Sequence, residues 1–329
     1  MSQHPIEADP SAVAGPSEDE VPDADCSSLT SVTPSILEGQ IEEGRVYAIY
    51  GRQEYGFPMD DAELDRIDFK HAQYHTLLAN KRFLAPISDN PEKILDLGCG
   101  TGIWCIDVAD TYPSADVMGI DIAPTQPQWV PPNCHFELDD MEEPWVWKED
   151  SFDFIFSRDL ILSVRDWPRL IDQCYTHLKP GGWVEFQCMS GVLQCDDGTV
   201  PPDSALQGFS DHLRLASAAF QTPVDDPSRW KGWMEARGFE TVTEEVFSVP
   251  CSPWPRDPRL RLVGAYQQEN LVSNLEGVTT RLFTRALNWT TEQVNVFHVG
   301  VRKDMKNTGF HGYWPFYVVY ARKPLDAAS

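Results

Sequence analysis

Short apolar runs alternate with amphipathic segments between about residues 91 and 188, and this alternation is the clearest pattern in the chain. Apolar runs of four or five residues predict strands, and apolar residues at helical spacing predict helices. We predict strands over 94–97, 117–120, 134–138, 152–156 and 183–187, and helices over 103–109 and 168–178, the second ending at the Lys-Pro-Gly-Gly of 179–182. Strands separated by helices form βαβ units, so we expect an α/β fold with a Rossmann-like, mostly parallel sheet and helices on both faces.

The regions on either side of this core predict additions to it. Residues 36–81 carry apolar side chains at roughly helical spacing, which predicts a helical N-terminal lid. Beyond residue 187 we predict helices over 205–220 and 259–287 and strands over 241–247 and 316–321. These would add antiparallel strands and a C-terminal helical cap to the same sheet. The chain has no clean linker after residue 40, so we expect one domain over 41–329 with a core at about 91–188.

The first 40 residues differ in composition from the rest. They are rich in Pro, Ser, Asp and Glu, and residues 1–44 contain ten acidic residues and no Lys or Arg. Such a segment buries too little apolar surface to offset its ordering entropy, so we predict a disordered acidic tail over 1–40. The whole chain has a formal net charge of −25, which repels nucleic-acid phosphates. We therefore expect no nucleic-acid partner.

Several other features of the composition restrict the class of protein. No apolar run approaches the roughly 18–20 residues that a membrane helix needs, and no signal-peptide pattern is present. The eight cysteines include no C-x-x-C pair, which argues against a zinc cluster or a disulfide framework. We expect no membrane association, no metal and a cytoplasmic location. A nuclear location is the alternative, although the sequence has no basic cluster of the kind that directs nuclear import.

A glycine-rich turn after the first predicted core strand carries the strongest chemical signal. The sequence from 94 to 102 is ILDLGCGTG, with an acidic residue at Asp96 and glycines at Gly98, Gly100 and Gly102. Glycine permits positive φ and lets the backbone approach a ligand closely. In an open α/β sheet, ligands bind beyond the carboxyl ends of the strands. The turn is therefore our candidate cofactor loop.

The spacing of the loop indicates which cofactor it holds. A dinucleotide site has the pattern G-x-G-x-x-G, whereas here residue 103 is Ile and the third glycine comes one residue early. S-adenosylmethionine has no pyrophosphate to bind, but it has a sulfonium, an ammonium, a carboxylate and an adenosine. Asp96 at the mouth of the loop suits the ammonium. We therefore predict a site for S-adenosylmethionine.

Acidic residues after the next two strands extend the candidate site. Asp121, followed by Ile122, ends the second core strand and can accept hydrogen bonds from both ribose hydroxyls. Asp139 and Asp140 follow the third strand and can accept from the adenine amino group, while Met141 can pack on the ring. Because the carboxyl ends of parallel strands meet at one edge of a sheet, we expect these five residues to lie near the loop.

This arrangement resembles the class I S-adenosylmethionine-dependent methyltransferases and, more closely, the fungal LaeA-like family. The resemblance covers nearly everything after about residue 44, and the chain departs from the family pattern at Met59 and Cys99. The segments that carry it, besides the glycine loop, are 44–47, 57–60, 65–68, 129–133, 143–145, 166–170 and 312–324. The resemblance implies a class I fold and S-adenosylmethionine as methyl donor.

The resemblance leaves the role of the protein open, because some family members resemble tailoring enzymes and others resemble nuclear regulators. Our first hypothesis is a methyltransferase that acts on an O or N atom of a small-molecule secondary metabolite. The second is a regulator of secondary metabolism that acts through velvet-type protein partners. A third, an oxidoreductase that uses a dinucleotide, is disfavoured by the early third glycine.

Candidates for the chemical step are few. A hydroxyl acceptor needs a general base, and His71 and His75 lie four residues apart on one face of the predicted lid. Arg158 and Asp159 follow the fourth core strand, where substrate often meets cofactor. We therefore select His71, His75 and Arg158 as catalytic candidates. The structural alternative is that the histidines are hydrogen-bonded packing residues and that Arg158 and Asp159 form a local ion pair.

Overall fold

The computed structural model describes residues 33–51 and 55–326, so most of the tail predicted over 1–40 lies outside the described residues. The strands are β1 Gln40–Glu42, β2 Arg45–Tyr47, β3 Lys93–Leu97, β4 Asp116–Asp121, β5 Cys134–Leu138, β6 Phe152–Arg158, β7 Leu178–Met189, β8 Glu240–Pro250 and β9 Tyr313–Arg322. The helices are α1 Pro34–Glu38, α2 Asp61–Leu77, α3 Ile103–Thr111, α4 Trp167–His177, α5 Ala205–Ala219, α6 Trp230–Arg237, α7 Pro258–Ala286 and α8 Thr291–Met305. The first of these helices begins before the domain boundary expected at residue 41.

The main sheet of the described chain has seven strands in the order β5-β4-β3-β6-β7-β9-β8. The first five of these strands are parallel to their neighbours, whereas β9 runs antiparallel to both β7 and β8. The α/β fold, the mostly parallel sheet and the added antiparallel strands are therefore confirmed. The strand order reverses between β3 and β6, and ligands in such sheets bind beyond the carboxyl ends at that reversal.

Apolar side chains explain why the central strands form. Ile94, Leu95 and Leu97 of β3 are fully buried, which is expected of a strand covered by helices on both faces. On one face, the Trp104 ring of α3 stacks on the Phe156 ring of β6 with centroids 3.9 Å apart. This packing places the start of α3 directly beyond the end of β3, where the glycine loop lies.

One boundary in this region differs from the prediction. The helix α4 ends at His177, just before the Lys-Pro-Gly-Gly segment, as expected. The following strand, however, begins at Leu178 rather than at residue 183. Its pairing with β6 shifts register between Phe152 and Phe154, and Gly181 adopts a positive φ of 83°. The segment is therefore an irregular part of the strand, because pairing with a neighbour extends it past the turn signal.

The predicted lid consists mainly of one helix, α2, which follows the short helix α1 and a hairpin of β1 and β2. The Asp60 side chain caps α2 by accepting from the backbone N–H of Glu63, and it also accepts two hydrogen bonds from the Arg45 guanidinium, each 2.6 Å long. The helix packs on α7, where the Asn270 side-chain amide donates to the Arg66 carbonyl at 3.0 Å. The N-terminal lid therefore rests on the C-terminal cap.

The cap consists of α5, α7 and α8. The helices predicted over 205–220 and 259–287 are confirmed as α5 and α7, and α7 contains one kink at Asn274, whose φ/ψ values are non-helical. The helices α6 and α8 were not predicted. For α8 a signal was present, because Thr290 and Gln293 form a capping box at its start. None of the helices in the described part of the chain has the length and apolar character needed to cross a bilayer.

Candidate active site

The glycine loop adopts a backbone that only glycine accommodates without strain. Gly98, Gly100 and Gly102 have φ values of 67°, 56° and 77°, in the left-handed region. Two of these positions also require glycine for lack of space. A Cβ atom at Gly98 would overlap the Leu160 side chain, and one at Gly102 would overlap the Phe136 ring. The loop therefore needs glycine at all three positions, as the sequence predicts.

Side chains from the end of β4 and the turn after it hold the loop in place. The Asp121 carboxylate accepts hydrogen bonds from the backbone N–H groups of Gly100, at 2.8 Å, and Ala123, at 2.9 Å. The carbonyl group of Gly100 is held as well, because the side chains of Thr125 and Gln126 donate to it at 3.0 and 2.6 Å. A carboxylate oxygen has two lone pairs, so Asp121 keeps the capacity to accept from a ligand as well.

Asp96, at the end of β3, is a buried carboxyl group. Only 3% of its surface is exposed, and the Cys105 thiol donates to it at 3.2 Å. Burial raises the pKa of Asp96 to about 7, while the Cys105 hydrogen bond and the Arg158 cation act in the opposite direction. The carboxyl group can therefore gain or lose its proton near neutral pH.

A cavity that we call the large cavity lies between the glycine loop, the helix α2 and the ends of β4, β5 and β6. It encloses about 1290 Å³, counting the space open to solvent. Nine of the predicted site residues line it: Asp96, Gly98, Gly100, Asp121, Ile122, Asp140, Met141, His71 and Arg158. The strand ends thus converge as expected, and α2 forms the opposite wall.

Three predicted site residues lie outside the lining of the large cavity. Gly102 is the N-cap of α3. Asp139 accepts a hydrogen bond from the backbone N–H of Asp140 at 2.8 Å, so it shapes the turn after β5. His75 lies one helical turn beyond His71, with the two rings stacked at a centroid distance of 6.3 Å. Their positions favour supporting roles over direct ligand contact.

The His71 side chain is bound on both of its ring nitrogens. Its Nδ1 accepts from the Arg158 guanidinium at 2.8 Å, and its Nε2 donates to the Asp107 carboxylate at 3.2 Å. Burial and the neighbouring Arg158 cation lower the pKa of His71 to about 4, so the ring is neutral at neutral pH. With both nitrogens engaged, His71 is arranged to position Arg158 rather than to remove a proton.

Arg158 itself presents a half-buried cation to the large cavity. Among the described residues, no carboxylate lies within ion-pair distance of its guanidinium, whose hydrogen-bond partner is His71. The guanidinium also lies 5.7 Å from the centre of the Tyr74 ring. A guanidinium that is partly shielded from water and faces a cavity is suited to bind a carboxylate.

A second polar cluster joins α2 to the end of β6, and in it Asp159 pairs with Lys70 instead of with Arg158, the alternative that the sequence analysis gave. The Lys70 ammonium forms a salt bridge with Asp159, and the Tyr74 hydroxyl donates to the same carboxylate at 2.8 Å. Burial acts to raise the pKa of Asp159, but the Lys70 and Arg66 cations outweigh it and hold that pKa below its ordinary value. Asp159 therefore stays ionised and keeps the Lys70 ammonium at the wall of the large cavity.

A smaller cavity adjoins the large one. This small cavity encloses about 540 Å³, counting open space, and shares Phe57, Arg66 and Lys70 with the lining of the large cavity. Its other walls come from β7, α5, α7 and the start of β9. Arg66 and Lys70 lie four residues apart, which predicts a shared helical face. The position of Arg66 and Lys70 between the two cavities depends on how α2 packs, so their four-residue separation in the sequence could not predict it.

Comparison with known proteins identifies the family. A family model described as a methyltransferase domain matches residues 69–244. The chain is 40% identical over 299 residues to the methyltransferase pytC of Aspergillus terreus, covering 91% of this chain and 92% of that protein. The chain belongs to the LaeA-like family of S-adenosylmethionine-dependent methyltransferases.

Regulators are also among the relatives of this methyltransferase. It is 37% identical to the secondary metabolism regulator LAE1 of Cochliobolus heterostrophus, covering 88% of this chain and 97% of that protein. It is 33% identical to the protein-methionine methyltransferase laeA of Emericella nidulans, covering 86% of this chain and 76% of that protein. The family match decides against the dinucleotide-dependent oxidoreductase considered above, since S-adenosylmethionine is the methyl donor.

The chemistry of the large cavity fits S-adenosylmethionine. A glycine loop allows close approach of the donor, and Met141 and Leu160 offer apolar surface beside it. The ammonium and the carboxylate of the methionine part have counterparts of opposite charge in the buried Asp96 and the half-buried Arg158. The residues that line the large cavity of this methyltransferase therefore complement the charges and the apolar parts of the donor.

Proposed function

We propose that this methyltransferase transfers a methyl group to an oxygen or nitrogen atom of a small-molecule secondary metabolite. The observation that carries the proposal is the small cavity, which adjoins the large cavity through Phe57, Arg66 and Lys70. Nearly all residues that line it are buried, so it has the size and enclosure of a site for a small molecule rather than for a protein surface. The similarity to pytC, which is named as a methyltransferase, supports the same reading.

In this proposal, three strand ends hold the adenosine part of the donor. The glycine loop lies against it, and Asp121 accepts from the ribose hydroxyls while continuing to hold Gly100. Asp140 accepts from the adenine amino group, and Met141 packs against the ring. Ile122 supplies apolar surface on the same side of the large cavity. Asp139 and Gly102 act through the backbone of the turns that they stabilise.

The methionine part of the donor is held by two charged side chains of opposite sign. Asp96 pairs with the ammonium, and Arg158 binds the carboxylate while His71 fixes the orientation of the guanidinium. This assignment gives Arg158 a role in donor binding instead of the catalytic role expected from the sequence. For His75 we assign only support of His71 through ring stacking.

The chain's own residues mainly align the two reactants and exclude water. Bound S-adenosylmethionine supplies an electrophilic methyl group. The helix α2 covers the site, and Phe57, Arg66 and Lys70 form the border at which the acceptor meets the donor. Alignment of this kind accounts for much of the rate enhancement in a displacement reaction. The ionised Asp159 holds Lys70 at that border.

The raised pKa of Asp96 gives donor binding a specific pH dependence. A bound ammonium favours the ionised carboxylate, so affinity falls as the pH drops through about 7 and Asp96 takes up a proton. We expect the Kd for S-adenosylhomocysteine, the demethylated donor, to rise by about tenfold between pH 8 and pH 6. Isothermal titration calorimetry at a series of pH values measures this change.

The matched control is Asp96→Asn, which keeps the shape of the side chain. Its Kd should be higher at pH 8 and should vary little between pH 8 and pH 6. The stability of the ligand-free protein should change with pH in the opposite direction to donor affinity. A folded-state pKa above the ordinary value of 3.8 means that Asp96 adds to the free energy of unfolding at low pH. That contribution is lost as the pH rises through about 7. A pH profile shared by both proteins would contradict the pairing of Asp96 with the ammonium.

A second candidate function is regulation of secondary metabolism, and its support comes from the relatives named as regulators. In that case the protein would act in the nucleus with a velvet-type partner, and the methyl acceptor could be a protein side chain. For the favoured function we expect a cytoplasmic location and no stable protein partner. The higher identity to pytC and the enclosed small cavity favour the biosynthetic role.

Comparative metabolite profiling separates the two candidates. The source organism would be compared in three forms, carrying the intact gene, a deletion or a Gly100→Asp replacement. Loss of one methyl group from a single family of compounds in both altered strains would support the biosynthetic role and identify the acceptor. Silencing of many unrelated pathways would contradict it and support the regulator.

A further inference from the structure

We propose that the small cavity takes an apolar acceptor whose reacting atom is an acidic oxygen, such as that of a phenol, an enol or a carboxylic acid. This inference rests on the proposed small-molecule function and narrows it from oxygen or nitrogen to an ionised oxygen. Two independent features of the small cavity carry it. They are the apolar character of most of its walls and the sign of the charges at its border with the large cavity.

Aromatic and aliphatic side chains form most of the lining. Phe209, Leu213 and Leu271 come from the cap, Leu162 follows β6, and Trp314 comes from β9. Each of these five side chains is at most 5% exposed. Burying an apolar group against such walls is favourable, by roughly 25 cal/mol per Å² of surface removed from water. The acceptor should therefore carry a ring system or a similar compact apolar body.

The charged groups that face the small cavity are both cations. Of the described residues in its lining, the ionisable ones are Arg66 and Lys70. Their carboxylate partners face elsewhere, because Asp159 lines the large cavity and Glu63 lines neither. Arg66 is held by Glu63 through two hydrogen bonds of 2.8 and 2.6 Å, so its position is rigid. Each cation is neutralised by its own carboxylate, but the cationic ends of the two ion pairs line the small cavity, in a buried setting where charges act strongly.

Positive charge at this border selects the acceptor by its own charge. An ammonium group would be repelled by Arg66 and Lys70, whereas an anionic oxygen would be stabilised beside Lys70, which lines both cavities. In the transfer, a lone pair of that oxygen forms the new O–CH₃ bond, the S–CH₃ bond of the donor breaks, and its electron pair stays on sulfur. An oxygen that is already ionised releases no proton, so the reaction requires no general base.

Three naphthalene derivatives of matched size test the proposal. They are 2-naphthoate, which is anionic, 2-naphthylmethanol, which is neutral, and 2-naphthylmethylammonium, which is cationic. Each would be titrated by calorimetry into the full-length protein saturated with S-adenosylhomocysteine. We expect naphthoate to bind about tenfold more tightly than the cation, or better, with the alcohol between them. Equal affinities, or tighter binding of the cation, would overturn the proposal.

Substitutions on α5 locate the binding site. Leu213→Trp fills the small cavity and should weaken naphthoate binding by about tenfold or more, leaving binding of S-adenosylhomocysteine intact. Leu215→Trp on the same helix, where the native side chain is 57% exposed, is the matched control and should bind naphthoate normally. Unchanged naphthoate binding in Leu213→Trp would place the site elsewhere. If Leu213→Trp does not fold, the three-ligand comparison on the native protein still decides the charge preference.

The same titrations separate this inference from the function on which it rests. A native protein that binds S-adenosylhomocysteine but shows no preference for naphthoate would refute the acidic acceptor and leave the methyltransferase proposal standing. A native protein that fails to bind S-adenosylhomocysteine would refute the proposed donor site, and the acceptor class would fall with it.

Discussion

Gly100→Asp weakens binding of S-adenosylhomocysteine by about 100-fold or more, because the change introduces strain and charge at the centre of the loop. The native residue has a φ of 56°, in the left-handed region that glycine adopts more readily than a residue with a Cβ atom. A Cβ atom there points toward Ile67 of α2, 3.6 Å away, and so into the large cavity. The new carboxylate would also lie beside Asp121, which accepts from the Gly100 N–H. Calorimetric titration of both proteins measures the loss.

Gly44→Asp is the matched control for this experiment. Gly44 also has a positive φ, 77°, and no other atom lies within 4 Å of the position that a Cβ would occupy. It is exposed in the turn between β1 and β2 and lies outside the large cavity. We expect Gly44→Asp to bind as the native protein does. If Gly100→Asp retained affinity within about threefold, the donor site would have been assigned to the wrong loop.

The second large effect concerns stability. Asp159→Asn should lower the free energy of unfolding by about 3 kcal/mol, because it leaves the buried Lys70 ammonium without its anionic partner. Asn is the appropriate replacement, since Asp159 has a φ of 61° and Asn tolerates that conformation. Denaturation in urea at pH 7, followed by circular dichroism, gives the difference between the two proteins.

Two controls test whether charge, rather than packing, causes the loss. The double variant Lys70→Met/Asp159→Asn removes the unpaired charge and should recover most of the stability. Asp172→Ala breaks an ion pair with Arg237 whose side chains are 57% and 34% exposed, so it should cost at most about 1 kcal/mol. A loss in the double variant as large as that in Asp159→Asn would show that the effect of Asp159→Asn does not come from Lys70.

Local patterns were sufficient to predict the core of the fold. Strands such as β3 are buried on both faces, so they appear in the sequence as short continuous apolar runs. The glycine loop was equally readable, because positive φ angles at Gly98, Gly100 and Gly102 restrict these positions chemically and not only by packing. The convergence of Asp121 and Asp140 on the large cavity followed from the rule that parallel strands end at one edge.

The lid and the cap were harder to predict in detail. The buried face of α2 includes the polar residues Arg66, Lys70 and Gln73, which an apolar pattern does not reveal. Polar residues inside a protein are stabilised by their partners, and those partners lie far away in sequence. The amide of Gln73, for example, donates to Gln267 on α7 at 3.0 Å. No local signal indicates such a pair.

The sequence was enough to establish a class I methyltransferase core and its donor loop, because backbone conformation and strand burial act within a few residues. It did not establish the roles of the charged side chains. The packing of α2 across the sheet decides three things. It decides whether Arg158 is paired, whether His71 has a free nitrogen, and whether Lys70 meets Asp159, which is 89 residues away. The small cavity likewise exists only where lid, cap and strand ends meet. Long-range packing brings these groups together, and it determines the chemistry of the site.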